Sequence, residues 1–111
     1  MARLLTTAHF DVYRNTGTHA ADVPYPLDVQ SNLLDGLDSR VVVPLRRRDR
    51  FPACLIPACL TPVFIVEDME CLMETPKLAA VPVRMLTAPV LSLADAQAAV
   101  TGALDFLFRG Y

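Results

Sequence analysis

Four acidic residues stand close together in the second half of the chain: Glu67, Asp68, Glu70 and Glu74. Carboxylate oxygens are the ligands that Ca²⁺ and Mg²⁺ prefer in proteins, so such a group could hold a divalent cation. The surrounding pattern, however, places these residues around the turn of a predicted hairpin, where solvated carboxylates are common. We therefore expect no metal site and no cofactor in this protein.

Catalytic groups in a working arrangement are also missing from the sequence. His9 lies in a predicted strand and His19 in a polar loop, and neither has a nucleophile or a second metal ligand at a fixed spacing. The four glycines are isolated from one another, so no glycine-rich loop can hold a phosphate. The sequence therefore predicts that the protein is not an enzyme.

The three cysteines, Cys54, Cys59 and Cys71, are odd in number and match no zinc-binding spacing. Each is followed by a leucine. We expect three reduced, buried thiols.

Arg46, Arg47, Arg48 and Arg50 form a basic group, which we call the arginine cluster. It could be a solvated loop, a nucleic-acid site or a site for an acidic protein. No aromatic residues are interleaved with the arginines, and the net charge of −2 gives no general attraction to nucleic acid. Guanidinium groups form paired hydrogen bonds with carboxylates, which is how the cluster could select an acidic partner.

The length of 111 residues predicts one domain, and its 53% apolar content exceeds the usual share of about 45–50%. The surplus could enter a membrane, a ligand cavity or a contact with a second chain. The longest uncharged stretch, 51–66, is too short to span a membrane comfortably and contains three prolines. The first residues lack the sustained apolar run of a signal peptide, so we expect a cytoplasmic protein.

Alternating and β-branched residues predict six strands and one C-terminal helix. Pro44 and the arginine cluster are expected to end the third strand, Pro89 to end the β region, and Ser92 to begin the helix with Asp95 as a capping box. Gly102 inside the helix suggests close packing. The predicted strands are residues 9–14, 25–30, 40–45, 62–66, 70–74 and 81–86.

Several stretches, in order and spacing, resemble the CcdB-type toxins of bacterial toxin–antitoxin modules, which poison DNA gyrase. The residues that carry the resemblance are His9–Tyr13, Asp28–Asp35, Arg40–Leu45, Leu60–Val63, Leu78–Val83 and Leu104–Tyr111. The block Asp28-Val29-Gln30-Ser31, followed by the strand with Val43-Pro44-Leu45, is its most specific part.

The resemblance implies a mainly β fold with one C-terminal α-helix, a small SH3-like barrel or antiparallel sheet. Residues 9–111 would form a single toxin domain after an extension of residues 1–8. Two copies would form a homodimer through their helix ends, which agrees with the apolar surplus. The toxin would bind the gyrase A subunit and trap the gyrase–DNA cleavage complex without covalent chemistry, and a largely disordered antitoxin would release it.

The resemblance also implies which residues make these contacts. The surplus of apolar residues would then lie at the helix end and at Leu33-Leu34, and the arginine cluster would be part of the antitoxin site. The implied gyrase contacts are Leu33, Leu34, Asp105, Phe108, Arg109, Gly110 and Tyr111.

The chain departs from the family pattern at two places, its last three residues and Asp105. The family usually ends in Trp-Gly-Ile, whereas this chain ends in Arg109-Gly110-Tyr111, and Asp105 stands where the family commonly has Asn. Three hypotheses follow: a gyrase poison, a dimeric binding module of the same fold with weak, lost or redirected gyrase activity, and an endoribonuclease toxin that uses the arginine cluster. Phe108 could also be an aromatic residue of the dimer core.

Overall fold

The computed structural model describes residues 10–31, 36–51 and 57–110. The predictions for residues 1–8, His9, Leu33, Leu34, Cys54 and Tyr111 lie outside these ranges. Within them, seven strands form one antiparallel sheet that is followed by one α-helix, which confirms the predicted fold class. The elements are β1 (Asp11–Tyr13), β2 (Tyr25–Asp28), β3 (Ser39–Arg47), β4 (Val63–Val66), β5 (Met69–Met73), β6 (Ala79–Pro82), β7 (Pro89–Ser92) and α1 (Gln97–Arg109).

The nine-residue strand β3 is the centre of the sheet. It pairs with β2 on one side, and its two ends pair with β6 and β5. The strand order across the sheet is β4-β5-β3-β2-β1-β7, with β6 added beside β3. The third predicted strand, 40–45, therefore lies within the central strand of the sheet.

The prediction that Pro44 ends this strand is wrong. Pro44 faces Pro26 of β2, and its carbonyl accepts the N–H of Glu74 at 3.0 Å. Two facing prolines suit a position of the ladder that exchanges no hydrogen bonds, so the missing N–H groups break no pairing. The strand continues to Arg47, which places Arg46 and Arg47 in a strand instead of a loop.

The end of the β region was also predicted wrongly. β6 stops at Pro82, and residues 83–85 form a 3-10 turn. Pro89 does not end the β region but begins β7, which pairs with β1. A proline is tolerated at the first position of a strand because its missing N–H costs no hydrogen bond there. Ser92 belongs to β7; its hydroxyl accepts the N–H of Ala94 at 3.1 Å, and α1 begins only at Gln97.

The hairpin predicted at the acidic residues is confirmed as β4 and β5. Its two turn residues, Glu67 and Asp68, both have positive φ angles, of 52° and 66°. This is the pattern of the tight turn that matches the twist of an antiparallel hairpin, although glycine or asparagine usually occupies these positions. The Glu67 side chain also accepts hydrogen bonds from residues outside the hairpin.

The core lies between one face of the sheet and α1. Leu27, Val43 and Leu45 of the sheet and Val100 and Ala103 of the helix are fully buried there. The predicted close packing at Gly102 is absent within the described ranges, because Gly102 is exposed and a Cβ added to it would meet no atom within 4 Å. No helix in the described part of the chain is long and apolar enough to cross a membrane.

The two cysteines that the structure describes differ in their burial. Cys71 is fully buried in β5, as predicted, and burial raises the pKa of its thiol to about 11. Cys59 is exposed, so the prediction of buried thiols is wrong there. Cys59 follows Pro57 in a turn outside the sheet, where an apolar neighbour such as Leu60 is itself only partly covered.

Candidate protein-binding surfaces

The last turn of α1 exposes a large apolar side chain. Val100, Leu104 and Phe108 lie four residues apart and therefore form one row along the helix. Val100 is buried and Leu104 packs partly against the core, whereas Phe108 is 71% exposed. The apolar row thus begins in the core and ends in solvent, where the Phe108 side chain is largely uncovered.

A charge pair flanks this phenylalanine. Arg109 Nη2 lies 3.8 Å from Asp105 Oδ1, and both side chains are about half exposed. Gly110, with φ of 81°, ends the helix and donates its N–H to the carbonyl of Phe106 at 2.9 Å. The cation of Arg109 also lies where the helix dipole favours positive charge. The four predicted contact residues of the helix end that the structure describes therefore lie together on its last turn.

Every member of the arginine cluster is paired within the chain. Arg46 and Arg48 contact two of the four acidic residues of the hairpin region, Glu74 and Glu70, at 2.9 and 3.4 Å. Arg47 binds Asp49 through two hydrogen bonds, of 3.1 and 2.8 Å. Arg50 contacts Asp22 at 3.0 Å.

These pairs also explain the acidic group of the sequence. Glu74 is buried against Arg46, Glu70 contacts Arg48 and Glu67 contacts Arg14, so three of the four carboxylates have separate partners. The described residues contain no group of three or more His, Cys, Asp or Glu side chains that could hold a metal ion.

Glu67 joins the hairpin turn to the opposite part of the sheet. Arg14 donates two hydrogen bonds to its carboxylate, at 3.1 and 2.9 Å, and the Tyr25 hydroxyl donates a third at 2.6 Å. These donors hold the pKa of Glu67 below its usual range. Burial, followed by the hydrogen bond to Glu67, raises the pKa of Tyr25 to about 12.

The most specific sequence block, around Asp28, forms a buried polar network. Arg40 donates to both carboxylate oxygens of Asp28, at 2.9 and 3.1 Å, and to the carbonyl of Gln30 at 3.0 Å. The Gln30 side chain accepts the N–H of Val41 at 3.0 Å. Sequence reasoning missed this network, although an arginine at the start of an otherwise apolar strand was a signal for it.

Exposed apolar residues are not confined to the helix end. Ile65 is 66% exposed on the edge strand β4, and Met85 is 54% exposed in the turn after β6. An open cavity of about 230 Å³, lined by residues such as Pro26, Val42 and Val81, lies on the sheet face opposite the core. The sequence placed the apolar surplus only at the helix end and at Leu33-Leu34, so that account was incomplete.

Comparison with known proteins agrees with this architecture. A family model described as CcdB protein matches residues 9–110. No curated protein matches the chain. The match spans nearly the whole chain, including the central strand, the hairpin and the exposed helix end.

Proposed function

The chain belongs to the CcdB family of bacterial toxins, and from this membership we propose that it is the toxin of a type II toxin–antitoxin module that binds the DNA gyrase A subunit. By holding gyrase on cleaved DNA it would cause strand breaks to accumulate. Such poisoning requires binding alone, with no bond made or broken by the toxin. The observation that carries the proposal is the family match over residues 9–110, together with the sheet-and-helix fold.

The helix end is the proposed gyrase contact. Phe108 supports this assignment because a phenylalanine that is 71% exposed can become a buried anchor in a complex. We assign Asp105, Arg109 and Gly110 to the same contact because they share its helix turn. Leu33, Leu34 and Tyr111 join it on the resemblance alone.

The arginine cluster is the proposed antitoxin contact. Its exposed ion pairs, such as Arg48 with Glu70 and Arg50 with Asp22, contribute only about 0–1 kcal/mol each. An acidic antitoxin segment could therefore exchange its own carboxylates for the internal ones at small cost. We further propose that the toxin acts in the cytoplasm as a homodimer.

A second candidate function assumes the same fold without effective gyrase poisoning. In it, the protein is a dimeric binding module with weak, lost or redirected gyrase activity. The Asp105–Arg109 ion pair favours this candidate, because it puts two charges on the surface where the family usually presents an indole and a neutral amide.

Expression in a gyrase-sensitive bacterium separates the two candidates. For a gyrase poison we expect growth arrest, and resistant survivors should carry changes in the gene for the gyrase A subunit. Growth arrest with resistance that maps elsewhere would support a redirected target. If the natural chain is harmless and Arg109→Trp creates toxicity, gyrase poisoning has been lost from this protein.

A further inference from the structure

Helix α1 contains only two charged residues, Asp105 and Arg109, and both lie beside Phe108. Asp105 is three residues before Phe108 and four before Arg109, and residues at these spacings are neighbours on a helix surface. The three side chains therefore form one continuous exposed surface, which we call the tip patch.

The ion pair of the tip patch is loosely held. It has one contact of 3.8 Å between side chains that are 59% and 46% exposed. By contrast, Arg14 and Glu67 form two hydrogen bonds, of 3.1 and 2.9 Å. A single exposed contact of this kind contributes little to folding. Both charges of the tip patch therefore stay available to a partner.

We propose that Asp105 and Arg109 act together as the specificity determinant of the tip patch. The partner surface presents an apolar pocket for Phe108, bordered by a carboxylate that receives the Arg109 guanidinium and by a cationic side chain that meets Asp105. A surface bearing charges of one sign would repel one member of the pair, which is how such a pair rejects wrong partners. This inference rests on the proposed function and specifies the chemistry of its contact.

The test compares the full-length chain with Asp105→Lys, Arg109→Glu and the double variant that carries both changes. The double variant restores an ion pair of reversed sign within the helix, so it separates a role inside the helix from a role toward the partner. We expect each of the three to lower the potency of gyrase–DNA cleavage at least tenfold. Gln97→Glu, an exposed charge change at the start of α1 and about two turns before Asp105, is the matched control and should stay within twofold.

Thermal unfolding and helix content by circular dichroism establish that all variants are folded. Recovery of full potency in the double variant would overturn the inference, because the pair would then matter only inside the helix. Full potency of both single variants would overturn it as well. Absence of cleavage with the unaltered chain would overturn the proposed function, and with it the role assigned to the pair.

Discussion

The guanidinium of Arg40 and the carboxylate of Asp28 are joined by two hydrogen bonds, and neither side chain is more than 1% exposed. Asp28 ends β2, and Arg40 lies near the start of β3. The pair therefore ties these two strands together beside the connection between them. A buried pair of this kind is costly to desolvate, so its main effect is to make one arrangement of the strands much better than any other.

Removal of one partner from this pair should be strongly destabilising. We expect Arg40→Ala to lower the free energy of unfolding by about 3–5 kcal/mol, because the Asp28 carboxylate is left buried without its counter-charge. Denaturation by urea at neutral pH measures the change. The apolar double replacement Asp28→Leu with Arg40→Met should cost clearly less. Equal losses for the single and double replacements would contradict the account of an uncompensated charge.

A substitution at Gly102 should raise the free energy of unfolding instead of lowering it. In the interior of α1, Gly102→Ala should raise the free energy of unfolding by about 1 kcal/mol, because alanine favours the helix and its Cβ meets no described atom within 4 Å. Gly110→Ala is the control; with φ of 81° it should lower stability by about 1 kcal/mol. If Gly102→Ala were destabilising, another surface, such as a second copy of the chain, must pack against Gly102.

Stability should also depend on pH through Glu67. The folded state holds the pKa of this carboxyl below its ordinary value of about 4.3, so the folded protein binds fewer protons there than the unfolded chain. This contribution is present above the ordinary pKa and is lost as pH falls through the lowered one. Between about pH 5 and pH 3 we expect the unaltered chain to lose stability more steeply than Glu67→Gln. Parallel pH profiles would show that Arg14 and Tyr25 do not stabilise the ionised form.

The two thiols that the structure describes should differ in reactivity. Cys59 is exposed and should react with a thiol reagent such as iodoacetamide in the native protein at pH 8. Cys71 is buried and its pKa is raised to about 11, so it should react only after unfolding. Mass mapping of the modified residues measures both. Early modification of Cys71 would show that β5 opens in the native state.

The fold could be predicted largely from short apolar and β-branched runs. The central strand is visible in the sequence as the continuous run 41–45, and the β4–β5 hairpin as two apolar runs on either side of Glu67-Asp68. The strand boundaries at Pro44 and Pro89 could not be predicted, because a proline is tolerated or excluded according to which side of the strand its missing N–H faces. That direction depends on the neighbouring strand.

The sequence indicated which residues belong to the candidate site, but not which of their charged side chains contact one another. Asp105 and Arg109 each appear as a departure from the family pattern, and only the helix geometry shows that they lie 3.8 Å apart. Likewise, the arginine cluster looks like a free basic surface until Glu70, Glu74 and Asp22, which are distant in sequence, are brought against it. Long-range ion pairs of this kind leave no local signal in the sequence.

The most direct test of the central claim is DNA cleavage by purified gyrase in the presence of the purified, full-length protein. The account predicts that linear DNA accumulates after the trapped complexes are denatured, and that Phe108→Ala lowers the potency at least tenfold while the fold is retained. If the folded, unaltered protein produces no linear DNA at concentrations that saturate gyrase, the claim that this protein poisons gyrase is contradicted.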